Sequence, residues 1–419
     1  MLRRVLCRQV AAVAVQRTPL PTNFSPSPSA FVCSRRFATA TAPYTATRPV
    51  QPAATSPSHL SPTPASSAST PSSSIPDLSY ISESMGVLYP LFTPTRQTLS
   101  PFLLTPDQLS FYTTHGYLSN LPCLTATQCD AILSDYKQFL QWEQTDAAED
   151  GGSSSERRHP GLELFHEFHT NQTGDPNNVL CHGLGQWRVS PLFHDLIFHP
   201  ALVVRVAQCL AACFTAIPNS PVQPVVTSTD AAVVPVSFWH DQLFAKPPKH
   251  GGNVAWHQDY SYWTRTGPCN HITVHVALDE QTLENGSLHF IPGSHKWTRT
   301  THNPLTQQHE TLPLPITDIN FTNMDSIHTV LTPTERQQFK PVPALLKRGE
   351  MSIHHPYSVH GSYPNRSERA RRATVVNYFV TGTQSRTEEA LLAGVEAIGY
   401  GKELQSRFFP HVFKPQWLA

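Results

Sequence analysis

The feature that most limits the folds open to this 419-residue chain is a change of hydrophobic period near Val233. Before it, apolar residues recur at helical spacing: Cys129, Ile132, Leu133, Tyr136 and Phe139 in one segment, and Leu192, Leu196, Ile197, Val203, Val206 and Leu210 in another. After it, short runs alternate between two faces at 234–244, 253–259, 272–278, 287–291, 350–355 and 373–380, separated by Gly, Pro, Asn and Asp. A first helix is expected to begin at Pro106 under a Thr105 cap, followed by a strand over 118–121 and helices over 125–144 and 191–213. A last helix is expected over 387–400. A helical layer followed by many short strands implies an α+β, mainly β architecture, and a jelly roll fits it. The interval 302–347, with one short helix at 334–339, is too long for a plain connection and is expected to cover an active site.

Four segments follow from composition and pattern. Residues 1–76 hold no Asp or Glu, carry scattered arginines from Arg3 to Arg48, and are dense in Ser, Thr, Ala and Pro. They bury too little apolar surface to offset their ordering entropy, and their first turns pair a basic with an apolar face, as in a mitochondrial transit peptide. Arg35 and Arg36 mark a plausible processing site. Residues 77–102 are an extended lead-in, 103–385 the main domain with a β core, and 386–419 a terminal helix and tail. No run approaches the roughly 18 to 20 apolar residues of a membrane span, so the processed chain is expected to be soluble.

Lys plus Arg and Asp plus Glu both number 30, which gives no field for nucleic acid. The eight cysteines lack paired metal spacing and read as reduced thiols.

Chemistry concentrates in two stretches. In Trp256-His257-Gln258-Asp259-Tyr260, read as a strand, His257 and Asp259 share a face, because residues two apart in a strand point the same way. About a hundred residues on come three further histidines, His354, His355 and His360, and then Arg369, Arg371 and Arg372. An imidazole, a carboxylate and a third ligand from elsewhere would make a two-His, one-carboxylate metal site with open positions. An arginine suits a carboxylate-bearing cosubstrate, since its guanidinium offers parallel donors and keeps its charge. Lys246 and Lys249 could guide an anionic substrate, but on a proline-rich loop the preferred reading is of solvated surface lysines. Tyr260 is the aromatic expected to face substrate, and His295 is expected to fix a turn.

With these residues in view, the chain resembles the phytanoyl-CoA dioxygenase family of Fe(II) and 2-oxoglutarate dependent oxygenases over roughly residues 103–383. The resemblance rests on the Leu104-Thr-x-x-Gln-Leu-x-Phe-Tyr helix, His257-Gln-Asp259, Asn285-Gly-Ser-Leu-His-Phe-Ile-Pro-Gly-Ser-His295, and His360-Gly-Ser362 with Arg371 eleven residues later. It implies a double-stranded β-helix of cupin-like type, with His257, Asp259 and His360 as iron ligands. It also implies Arg371 as the 2-oxoglutarate anchor, assisted by Ser362. Gln242, His275 and, more loosely, His182 align with positions that contact the cosubstrate. The implied reaction is hydroxylation of a small organic or acyl substrate with O2, releasing succinate and CO2, with ascorbate as a candidate reductant and a monomer or homodimer as the working unit. The competing readings are a cupin-like metalloenzyme without 2-oxoglutarate and a family member kept only for binding.

Overall fold

The computed structural model describes residues 75–149, 161–214, 224–226, 232–303, 308–312, 316 and 323–418. The transit-peptide, processing-site and linker readings, as far as Ser74, lie outside these residues.

The described chain is α+β. Helix α1 (Pro106–His115) opens as the sequence suggests: Thr105 Oγ1 accepts from Gln108 N–H, and Gln108 Oε1 accepts in return from Thr105 N–H. It stops at Gly116, whose φ of 82° lets the chain turn directly into strand β1 (Tyr117–Pro122). Helix α2 (Ala126–Glu149) runs five residues past its expected end. Two strands, β2 (Glu167–His169) and β3 (Cys181–Leu184), precede two more helices, α3 (Pro191–Ile197) and α4 (Pro200–Phe214).

The single helix expected over 191–213 is therefore broken. His199 precedes Pro200, and the proline ring disfavours the helical conformation of the residue before it. By length and composition 191–213 could cross a bilayer, contrary to the expectation that no run approaches that length. In its most apolar 18-residue stretch 78% of the residues are buried inside the fold, and α4 packs as a core helix.

Apart from three small two-stranded sheets, the later strands are β4 (Val236–Lys246), β5 (Val254–His257), β6 (His271–Ala277), β7 (Leu288–Phe290), β8 (Val342–Pro343), β9 (Glu350–His354), β10 (His360–Ser362), β11 (Arg371–Val380) and β12 (His411–Phe413). They form an eight-stranded sheet in the order β1-β9-β6-β11-β4-β3-β2, with β12 also paired to β4, and a four-stranded sheet in the order β8-β7-β10-β5. The pairings within both are antiparallel.

Strand β6 shows what the large sheet is built to do. Ile272, Val274 and Val276 point to one face and join the main apolar core with the helices; His271, Thr273 and His275 point to the other, yet all are buried. Buried polar side chains need partners, so this inner face calls for a polar centre between the sheets.

The interval expected to cover the active site does something else where it is described. Ile316, Ile327 and Leu331 pack with Trp256, Ile291 and Val359. Trp256 and Val359 immediately precede His257 and His360 in their chains and so point away from the inner face. This part of the interval thus covers the back of the small sheet. Its short helix spans Pro333–Gln338.

No helix forms over 387–400; the described chain there is bends and turns, with Gly394 and Gly399 at φ of 70° and 93°. Those left-handed glycines, and few apolar residues at helical spacing, remove the reason for a helix. The lead-in at 77–102 is pinned: Arg188 and Arg407 bond Asp77, and Asp195 accepts from the backbone N–H of Met85, Val87 and Leu88.

Candidate metal centre and anion pocket

Strand β5 ends at His257, and Asp259 is the first residue of a 3-10 turn over 259–262, not part of a continuing strand. The turn still brings the carboxylate back beside the imidazole. On the neighbouring strand β10, His360 lies directly opposite His257. The ligand atoms of His257, Asp259 and His360 lie within 4.8 Å of one another, and this is the one such cluster among the described residues. His354 and His355 are outside it.

Hydrogen bonds fix how these groups present themselves. Nδ1 of His257 lies 2.8 Å from Ala255 O and Nδ1 of His360 lies 3.0 Å from Ser358 O. A carbonyl oxygen can only accept, so each Nδ1 carries a proton and each ring turns its Nε2 toward Asp259, the atom it can offer a metal. Both Nε2 atoms lie 3.5 Å from Asp259 Oδ1. The second oxygen is held by two donors, Thr273 Oγ1 at 2.5 Å and His354 Nε2 at 2.9 Å.

Burial pushes the His360 pKa well below its usual value, against the pull of Asp259, so the ring stays neutral. Burial alone would raise the Asp259 carboxyl, but the histidines packed and hydrogen-bonded around it hold it well below the ordinary carboxylate range. Two ring nitrogens and an anionic oxygen converge on one point. That arrangement is electrostatically favourable around a cation.

The other end of the inner face is cationic. Arg371 opposes Lys246 across β11 and β4. Arg371 is 1% exposed, and its Nε and Nη2 have no hydrogen-bond partner. Burial lowers its pKa only to about 10, which leaves it charged. Lys246, read from sequence as a surface lysine, is fully buried, with Nζ 2.6 Å from Ser362 Oγ and 2.7 Å from Tyr363 O. The strand carries it inside: 242, 244 and 246 share a face, and the parity of β4 could have shown this. Lys249 stays at the surface, 3.0 Å from Glu368.

Between metal cluster and cations, Gln242, Val375 and His275 form one cross-strand row. Gln242 Oε1 is 3.1 Å from His182 Nε2, whose Nδ1 bonds Glu167 at 2.8 Å, and His275 Nε2 is 2.9 Å from Gln281 Nε2. Gln242 and His275 thus share the inner face of the large sheet, and His182 meets Gln242 from the neighbouring strand.

Other candidates separate cleanly. Arg369 pairs with Glu280 at the surface and Arg372 with Asp279. His295 bonds Thr113 O and stacks near His355, a structural role. Tyr260 does not face the site: it is 8% exposed and its hydroxyl donates to Thr266 O. Tyr262, two residues on, is 52% exposed with its ring 5.8 Å from that of His257. Thr273, and the role of His354 in holding Asp259, were not visible in sequence, because they depend on how the two sheets face each other.

Residues 112–373 match the phytanoyl-CoA dioxygenase (PhyH) family. The phytanoyl-CoA dioxygenase domain-containing protein 1 homolog of Caenorhabditis briggsae is 36% identical over 134 residues, 32% of this chain and 42% of that one. A protein of Stutzerimonas stutzeri named "Probable alpha-ketoglutarate-dependent hypophosphite dioxygenase" is 34% identical over 144 residues, 34% of this chain and 45% of that one. The matches thus span about half the length of these relatives. Among solved structures, the non-heme alpha ketoglutarate dependent epimerase SnoN from nogalamycin biosynthesis is 18% identical with a TM-score of 0.49, covering 74% of this chain and 98% of that one. The family match runs from α1 into β11 and takes in His257, Asp259, His360 and Arg371 alike, so the chain belongs to the phytanoyl-CoA dioxygenase family.

Proposed function

We propose that the protein is an Fe(II)- and 2-oxoglutarate-dependent dioxygenase on a double-stranded β-helix, hydroxylating a small organic or acyl substrate. The observation that carries this reading is the pairing of two features on one inner face. One is a His-Asp-His cluster whose ligand atoms converge; the other is an arginine buried with free donors. The donor set suits an octahedral metal with an open face. Two facing donors of a guanidinium suit a carboxylate. Ser362 lies two residues beyond His360 on β10, about 6.6 Å along a strand, close to the span of a five-carbon oxo-diacid between its keto and distal carboxylate ends.

When bound, Fe(II) and 2-oxoglutarate supply the oxidising chemistry, consuming O2 and releasing succinate and CO2. The chain's residues orient and enclose. His257 and His360 offer their Nε2 atoms, Asp259 offers Oδ1 while Thr273 and His354 hold Oδ2, and Arg371 holds the distal carboxylate. Gln242 and His275 line the path between, and the burial of His275 and Val375 beside the half-buried Gln242 limits access of water. Asp259 fills the third ligand position, which favours hydroxylation over halogenation. The name of the Stutzerimonas relative supports the same cosubstrate class. A mitochondrial destination, read from residues 1–76, belongs to this proposal and is checked by locating a tagged full-length chain in cells.

The test is succinate release by the Fe(II)-loaded protein, screened against acyl-CoA thioesters and small polar metabolites with and without O2. Substrate-stimulated, O2-dependent release is expected. Metal-dependent turnover of a substrate that needs neither O2 nor 2-oxoglutarate would replace this reading with that of a cupin-like metalloenzyme.

A further inference from the structure

We propose that Lys246 is the second arm of the cosubstrate clamp: it orients the Ser362 hydroxyl toward the distal carboxylate and adds a positive charge that selects a dicarboxylate over a monocarboxylate oxo acid. This rests on the reading of the site as a 2-oxoglutarate pocket and adds a residue and a selectivity to it.

The argument begins with what Lys246 touches. Its ammonium is fully buried and meets Ser362 Oγ at 2.6 Å, Tyr363 O at 2.7 Å and Ser362 O at 3.4 Å. All three partners are neutral acceptors. Among the described residues neither Lys246 nor Arg371 forms an ion pair with a carboxylate, although the two stand directly opposite each other on adjacent strands. Like charges directly opposite across a ladder are unfavourable, and buried ones more so. Burial chiefly, and the Arg371 charge in addition, depress the Lys246 pKa, so an anion bound between the two side chains favours the ammonium form. An anion between them relieves it, and the unpartnered Nε and Nη2 of Arg371 show where that anion has donors waiting.

Lys246 also fixes the role of Ser362. An ammonium has no lone pair, so in this contact Ser362 Oγ must accept. The hydroxyl proton is then left to donate elsewhere, and Ser362 becomes a donor for the incoming carboxylate. Replacing Lys246 by an apolar residue removes a charge and also releases the serine hydroxyl to turn away. Lys246 is thus a positioning residue acting through Ser362 as well as through its own charge.

The experiment measures binding without turnover. Anaerobic calorimetry on Mn(II)-loaded full-length protein compares 2-oxoglutarate with pyruvate, which keeps the chelating oxo acid but lacks the distal carboxylate. Lys246→Met is expected to weaken 2-oxoglutarate binding about tenfold or more while leaving pyruvate within about twofold. Lys246→Gln, which keeps a donor without the charge and guards against misfolding of the Met variant, is expected to fall between wild type and Lys246→Met. In the Lys246→Met background, the further change Ser362→Ala is expected to cost much less than it does alone. Wild-type affinity for 2-oxoglutarate in both Lys246 variants, or equal loss for both ligands, would overturn the role given to Lys246 and leave the functional reading standing. Failure of the wild-type protein itself to bind 2-oxoglutarate would overturn that reading, and this one with it.

Discussion

The two oxygens of Asp259 do different work, and the difference comes from two residues outside the ligand set, Thr273 and His354. Oδ1 faces the two Nε2 atoms, while Oδ2 is taken by Thr273 and His354, so the carboxylate is held for one-oxygen ligation. His354→Phe removes one of those donors without removing a ligand. Iron affinity is expected to fall about 10- to 100-fold, with the circular dichroism unchanged, and unchanged affinity would deny His354 its part. His257→Ala and Asp259→Ala remove ligands and are each expected to abolish turnover with little change in fold. Arg371→Ala is expected mainly to raise the apparent KM for 2-oxoglutarate; an unchanged KM would point to a different anchor. At this scale the motif residues were readable, since histidine, aspartate and arginine advertise their chemistry. Lys246 is hard to place because the prolines after it suggest a surface loop, and Tyr260, next to Asp259 in the chain, is turned inward by the 3-10 turn over 259–262 while Tyr262 is left exposed.

Elements were legible wherever the signal is local. Thr105, Pro106 and Gln108 mark the start of α1, and alternation marks β6, β9 and β11 to within about two residues. The misses have tertiary causes. Strand β10 is three residues long and reads as loop by itself; it exists because β7 and β5 pair with it on both sides. Gly116 joins helix to strand at a φ of 82°, and a Cβ there would meet His295 Nδ1 at 2.4 Å and Ser358 Oγ at 2.5 Å. Gly116→Ala is expected to cost about 2–4 kcal/mol from backbone strain plus overpacking, against about 1 kcal/mol for loss of the cap in Thr105→Ala. Urea denaturation of the two variants checks the ranking; equal midpoints would contradict it.

At the scale of the whole molecule, the polar inner face leaves a signature in pH dependence that extends beyond the site. His240, His271 and His355 are held by burial at pKa values of about 3, and His166, His199 and His295 at about 4, from an ordinary 6.5. Between those values the unfolded chain takes up protons that the folded chain refuses, so their contribution to stability is complete above about pH 6.5 and falls as pH drops toward 4. Asp241, raised by burial to about 7, and Asp135, also raised by burial, act in the opposite sense, but they are outnumbered by the six histidines. The thermal midpoint is expected to be flat above about pH 7 and to decline below 6.5; a midpoint that rises down to pH 5 would contradict this. The helical layer and the strand-rich half were visible in the change of period at Val233. How the strands divide between two sheets was not, because most of the pairings link residues far apart in the chain, from His289 with Pro343 to Tyr117 with His354.

The central claim is that three side chains from two separate stretches bind one iron in partnership with an oxo-diacid. Anaerobic titration of the metal-free protein with Fe(II) in the presence of 2-oxoglutarate, followed by calorimetry and by the visible absorbance of the chelate, tests it directly. One iron per chain with a chelate band in the wild type, and neither in His360→Ala, is the expected result. No iron uptake by the wild type, or equal uptake by His360→Ala, would contradict it.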